Sequence, residues 1–204
     1  MSIMPAALID MCRMISCDVS SAKALLSDVE VNARFITKTP DTQIAYQTTL
    51  LAEAAQAGNI DMVKLLLQDG ADPNLIPEDE PILYMLELPE DEEPSLCDER
   101  RLAIVELLLQ SGADPLVKWE AESILDDACF EVFNTVTGYD REYMKRFLLL
   151  LILYGGTSDY CNVQFYQSPD LKNTLQYHMF LIQRNDGFLY GEIRDDSGNI
   201  VAHF

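Results

Sequence analysis

The chain has 204 residues, of which 49% are hydrophobic and only 9 are Gly and 9 Pro, so it can bury a real core and is neither collagen-like, wholly disordered nor a disulfide miniprotein. Fourteen Lys and Arg stand against 34 Asp and Glu, a net charge of −20. Such a surface repels phosphate backbones, which excludes direct nucleic-acid binding as the expected function.

At the start of the chain, Met1 to Cys17 is apolar. It has no Lys or Arg before Arg13, and Asp10 interrupts the apolar run, so a signal peptide is not expected. It reads as a helix, and residues 1–19 are expected to cap the rest. Sliding the chain against itself by 42 residues then aligns Asn59–Pro73 with Arg101–Pro115, with identities from Val63/Val105 through Leu65/Leu107, Leu66/Leu108 and Leu67/Leu109 to Gly70/Gly112, Ala71/Ala113, Asp72/Asp114 and Pro73/Pro115. Each copy is a short amphipathic helix, with Ile60, Val63, Leu66 and Leu67 at helical spacing. It stops at a Gly suited to the left-handed C′ position and is followed by a Pro that forbids more helix. One such helix cannot bury its own apolar face, so copies must stack as a solenoid.

Weaker copies follow from the same period. One lies at Ala24–Ala33, and another after Leu148–Tyr154 at Gly156, which makes about four units over residues 20–160. The most hydrophobic window, Phe147–Tyr154, is eight residues long, against the roughly 20 a membrane span needs. It reads as a buried helix end, and no membrane association is expected.

Thr49 to Gly58 is a small-residue helix ahead of the first clear copy. A T-P-L-H-x-A-A-x-x-G pattern is matched at Thr49, Leu51, Ala54, Ala55 and Gly58, and an L-L-L-x-x-G-A-D-x-N pattern at Leu65 to Asn74. With these residues the chain resembles the ankyrin repeat family over roughly residues 20–158. Leu50 and Ala52 replace the motif's Pro and His, and the spacings of 42, 42 and 44 exceed the family's usual period of about 33. The extra residues are placed between Ala33 and Thr49, in the finger-loop region, and at Leu88–Glu99 and Phe130–Asp140. The resemblance implies a concave protein-binding surface made of finger loops and first-helix faces. The fold expected is therefore mainly α, an ankyrin-like helical solenoid of about four repeats.

From Tyr177 the texture changes. Three runs of strand formers, Tyr177–Gln183, Phe188–Arg194 and Asn199–His203, are separated by Asn185-Asp-Gly187 and Asp196-Ser-Gly198, both turn signals. A three-stranded antiparallel β-meander is expected within a C-terminal unit at 161–204, covering the exposed end of the stack. Asp195 and Asp196 belong to its second turn rather than to a metal site.

Ten acids and no base fall between Glu78 and Glu99. This run is either a solvated insertion loop or a docking surface for a basic partner. It contains no calcium-loop pattern. Asp126 and Asp127, adjacent in a helix, point about 100 degrees apart and read as surface positions rather than an acid–base pair. No nucleophile elbow, phosphate loop or dinucleotide fingerprint occurs, and no catalytic residue or cofactor is assigned. Five cysteines without a C-x-x-C pair and two histidines, His178 and His203, offer neither a structural zinc set nor a disulfide framework. They suit a reducing, cytoplasmic compartment, and Cys129 reads as a small buried hydrophobe.

Tyr84 and Trp119 fall near the expected starts of first helices in successive units. They either anchor a partner or seal joints between repeats. The expected function is a monomeric, non-enzymatic scaffold that binds a basic protein through Glu53, Gln56, Glu78, Asp79, Glu80, Tyr84 and Trp119. Two alternatives remain open: an acidic mimic of nucleic acid that inhibits a nucleic-acid-binding protein, and a small effector whose activity has no sequence motif.

Overall fold

A computed structural model of the chain describes residues 4–39, 42–76, 80–87, 96–119, 122–128, 143–144, 146–148, 150–151, 154, 161–167, 177–184, 189–195 and 200–203. The helices come in pairs. α1 (Ala6–Cys12) and α2 (Val19–Leu26) form the first, and α3 (Leu50–Gln56) and α4 (Ile60–Gln68) the second. α1 packs on α3 and α2 on α4, while α4 in turn packs on α5 (Leu96–Gln110). Like elements therefore lie side by side, as stacking of a repeated unit requires. The expected boundary at residue 19 falls inside the first of these helix pairs.

Helix starts are set by side chains. Asp18 accepts a hydrogen bond from the Ser20 N–H, Thr49 Oγ1 from the Ala52 N–H and Asn59 Oδ1 from the Met62 N–H, each satisfying a donor the helix itself leaves free. Residues 124–128 are helical as well. Ser123 caps them, accepting from the Asp126 N–H and donating to Asp126 Oδ2 at 2.6 Å. Helix stops follow the expected chemistry. Gly70 and Gly112 have φ of +88° and +92°, and the Ala71 and Ala113 N–H groups reach back to the carbonyls of Leu66 and Leu108, closing each helix as a left-handed C′ residue allows.

Two asparagines tie one unit to the next. Asn32 donates from Nδ2 to the Gly70 carbonyl and accepts the Asp72 N–H at 2.8 Å. Asn74, 42 positions later, repeats this on Gly112 and Asp114, at 2.8 and 2.7 Å. Leu116 holds the following position of the series and has no side-chain amide to continue it.

The extra residues between Ala33 and Thr49 form a β-hairpin. β1 (Phe35–Lys38) pairs antiparallel with β2 (Ala45–Thr48), from Phe35↔Thr48 to Lys38↔Ala45. A second, shorter hairpin joins β3 (Lys118–Trp119) to β4 (Glu122–Ser123). Residues 130–140, most of 88–99, Gly156 and Cys129 lie outside the described residues. One contiguous apolar core runs from Met4 to Leu151, with Leu8, Leu50, Met62, Leu66, Ile104, Leu108 and Phe147 fully buried. The Tyr143 hydroxyl donates to the Leu86 carbonyl at 2.6 Å, which fastens a late helical segment to the 3-10 turn at Tyr84–Leu86.

The C-terminal sheet has four strands, not three. β5 (Cys161–Gln167), β6 (Tyr177–Arg184), β7 (Leu189–Asp195) and β8 (Ile200–His203) follow one another in space as in sequence, all antiparallel. The register of the first pair runs from Cys161↔Arg184 to Gln167↔His178. β5 does alternate, with Cys161, Val163 and Phe165 between Asn162, Gln164 and Tyr166. The nine residues between it and β6 contain no Gly, and a reading keyed to two-residue Gly turns passes over a strand without one. The turn residues 185–187 and 196–198 lie outside the described residues.

Candidate functional site

The long hairpin is held against the helices by one cation. Arg13, the C-cap of α1, sends Nε to Glu53 Oε2 at 2.6 Å. Its Nη2 reaches Thr37 Oγ1 at 3.0 Å, the Lys38 carbonyl at 3.2 Å and the Tyr46 hydroxyl at 3.0 Å. Tyr46 completes the ring by donating to Glu53 Oε1 at 2.7 Å. Glu53 is only 3% exposed, so both of its oxygens are used inside the chain and not toward a partner. The phenol of Tyr46 is shifted up, first by desolvation and then by the Glu53 carboxylate it hydrogen-bonds. A buried carboxylate is tolerated here because each of its two oxygens accepts a hydrogen bond, one of them from a cation.

Beside this network lies a cavity of about 310 Å³, lined by Tyr46, Gln47 and Thr48 of β2, Gln56 of α3, Glu80, Met85 and Trp119. Three of the expected partner-binding residues, Gln56, Glu80 and Trp119, thus meet in one place although 63 positions separate the first from the last. Gln56 is exposed and Trp119 is 39% exposed. Desolvation raises the carboxyl of Glu80 above its ordinary range. Among the described residues, no Lys or Arg pairs with it.

Tyr84 takes a different place. It is buried, at 7% exposure, and its ring meets that of Trp119 edge to face, with centroids 5.5 Å apart and planes at 62°, the geometry preferred by aromatic quadrupoles. Its phenol is shifted upward by desolvation and by a hydrogen bond to Asp127. Of the two roles expected for this pair, burial suits Tyr84 to sealing a joint, whereas Trp119 stays part-exposed. Asp126 and Asp127 are both partly buried and engaged, one with Ser123 and the other with Tyr84, which corrects their reading as surface positions. Glu78 and Asp79 lie outside the described residues.

Arg13, Tyr46, Gln47 and Met85 were not singled out from sequence. Arg13 alone carried a signal, as the only base before Lys23 in an otherwise apolar and acidic stretch. Among the described residues, no cluster of three or more His, Cys, Asp or Glu side chains is placed to hold a metal, and no helix is long and apolar enough to cross a membrane.

Compared with known families, residues 46–76 match the ankyrin repeat. The matched segment comprises β2, α3, α4 and the turn through Asn74, the part of the chain that carries one wall of the cavity, the buried glutamate and one rung of the asparagine ladder. No curated protein matches the chain.

Proposed function

Starting from the ankyrin repeat that this chain carries, we propose that the protein is a binding module for another protein. A segment of the partner lies across the first-helix faces and hairpin fingers. Ankyrin repeats generally mediate protein–protein interaction, and one observation supports that use here: Gln56, Glu80 and Trp119 converge on a single cavity beside the long finger. The partner is basic, in keeping with a net charge of −20 and ten acids between Glu78 and Glu99, which would speed encounter. Gln56, Glu80 and Trp119 touch the partner, with Glu78 and Asp79 extending the acidic edge. Glu53 and Tyr84 support them from behind. About four stacked units form the binding body, the C-terminal sheet covers its end, and the protein acts as a monomer in a reducing, cytoplasmic compartment without catalysis of its own.

The test is affinity capture from native cells with the parent protein and with Trp119→Ala, followed by mass spectrometry and kinetics on whatever protein is recovered. Trp119→Ala is expected to lose the partner at a cost of only about 1 kcal/mol in stability, from the lost contact with Tyr84. Tyr84→Ala, by contrast, is expected to lower stability by about 3 kcal/mol through a cavity in the core. Neutralising Glu90, Asp91, Glu92 and Glu93 to the amides should slow association at low salt and leave dissociation unchanged. Recovery of the same protein in equal amount by parent and Trp119→Ala would sink the reading.

A further inference from the structure

The cavity has more specific chemistry than a generic contact surface. Its aromatic wall is preset: Tyr84, buried and hydrogen-bonded to Asp127, meets the Trp119 ring in a T-shaped contact at 5.5 Å while Trp119 keeps 39% of its surface exposed, so the indole is held in place before a ligand arrives. Glu80 lines the same space, and among the described residues no cation pairs with it. Gln47 and Gln56 add amide oxygens as acceptors, and Met85 adds an apolar wall suited to a methylene stem. Lys118 precedes Trp119 on β3. Alternation along a strand sends its side chain to the opposite face from the indole, so it does not fill the role of counter-ion.

We propose that this cavity is an arginine subsite, taking one arginine side chain of the partner with its guanidinium stacked on Trp119 and its N–H groups on the Glu80 carboxylate and the Gln47 and Gln56 amides. The assignment rests on the protein-binding reading above and deepens it by naming the side chain recognised. Arginine fits better than lysine because its planar cation stacks on an indole while donating in its own plane, toward groups around the rim. An ammonium has no plane to stack. Desolvation of Glu80, seen in its raised carboxyl, is a cost that an entering cation relieves. The strongly negative chain also favours a cationic side chain over any anionic or neutral one.

Trp119 is the only tryptophan in the chain, so its fluorescence reports on this cavity directly. The experiment titrates the purified full chain with three end-blocked pentapeptides, Gly-Ser-X-Ser-Gly with X arginine, lysine or citrulline. The arginine peptide is expected to give a saturable change. The lysine peptide should bind more weakly, and the citrulline peptide, equal in shape but uncharged, should give no saturable change. Glu80→Gln is expected to weaken the arginine peptide about tenfold through loss of the ion pair, whereas Glu106→Gln, on the exposed side of α5, leaves it unaltered. A citrulline or lysine response equal to that of arginine, or an unchanged affinity in Glu80→Gln, overturns the assignment. If a captured partner depends on Trp119 but is not displaced by the arginine peptide, the protein-binding reading stands and the arginine subsite falls.

Discussion

Arg13 Nε and Glu53 Oε2 lie 2.6 Å apart across forty positions of sequence, and the same guanidinium holds Thr37, Lys38 and Tyr46. One cation thereby joins the end of α1, the middle of α3 and both strands of the long finger. Removing Glu53 as Ala leaves this cation without its charge partner. Because Arg13 keeps 24% of its surface in water, the expected loss is about 2 kcal/mol, below the ~3–5 kcal/mol of a fully buried pair. The urea midpoints of Glu53→Ala, Arg13→Ala and the double variant check this. A double variant no less stable than either single one is the expected signature of coupling, and strictly additive losses would count against the network.

Asn74 is expected to contribute to stability through two hydrogen bonds to the following unit, at 2.8 and 2.7 Å. Asn74→Ala should cost about 1–2 kcal/mol. Asn74→Asp should not restore it, because a carboxylate keeps the acceptor for the Asp114 N–H but sets a lone pair against the Gly112 carbonyl. Chemical denaturation of both variants decides the matter, and an aspartate variant as stable as the parent would contradict the geometry.

Gly112 has φ of +92°, and a Cβ placed on it would meet nothing within 4 Å. Any penalty for a side chain there is backbone strain alone. Gly112→Val should therefore destabilise by about 1–3 kcal/mol and Gly112→Asn by less, since asparagine tolerates the left-handed region better than a β-branched residue. Equal midpoints for the valine and asparagine variants would show that the strain argument fails at this stop.

Cys12 is fully buried, and burial first, then the nearby Glu53 charge, pushes its thiol up to about 12. A group whose folded pKa is raised contributes stability that is complete below its unfolded value and is lost as pH rises through the folded one. The affected window here runs from about 9 to about 12, and Tyr46 and Tyr84, both shifted upward, act in the same alkaline direction. Stability should fall across that window, and Cys12→Ser should flatten the fall. In the native protein at pH 8, a thiol reagent should modify the part-exposed Cys17 and reach Cys12 only on unfolding, as peptide mapping would show.

What could be read from the chain was what adjacent residues decide among themselves. The helix stops at Gly70 and Gly112 and the apolar faces of α4 and α5 depend on spacings of three, four and 42 positions, and all are visible as repetition. The hairpin between Ala33 and Thr49 was legible as extra length, though not as strands. β5 was missed because the nine residues between it and β6 carry no two-residue Gly turn signal.

Tertiary structure alone decided which acids face water. Glu53 stands in a helix whose Leu50, Leu51, Ala52, Ala54 and Ala55 are all buried, so no apolar stripe distinguishes an inner from an outer side, and a carboxylate among small residues reads as exposed. Its burial follows from a finger folding back and from an arginine arriving from α1, neither of which leaves a trace in local periodicity. The same holds for the cavity. Gln56, Glu80 and Trp119 come from three separate segments, and only the stacking of units, driven by apolar faces that a single helix pair cannot cover, brings them to one place.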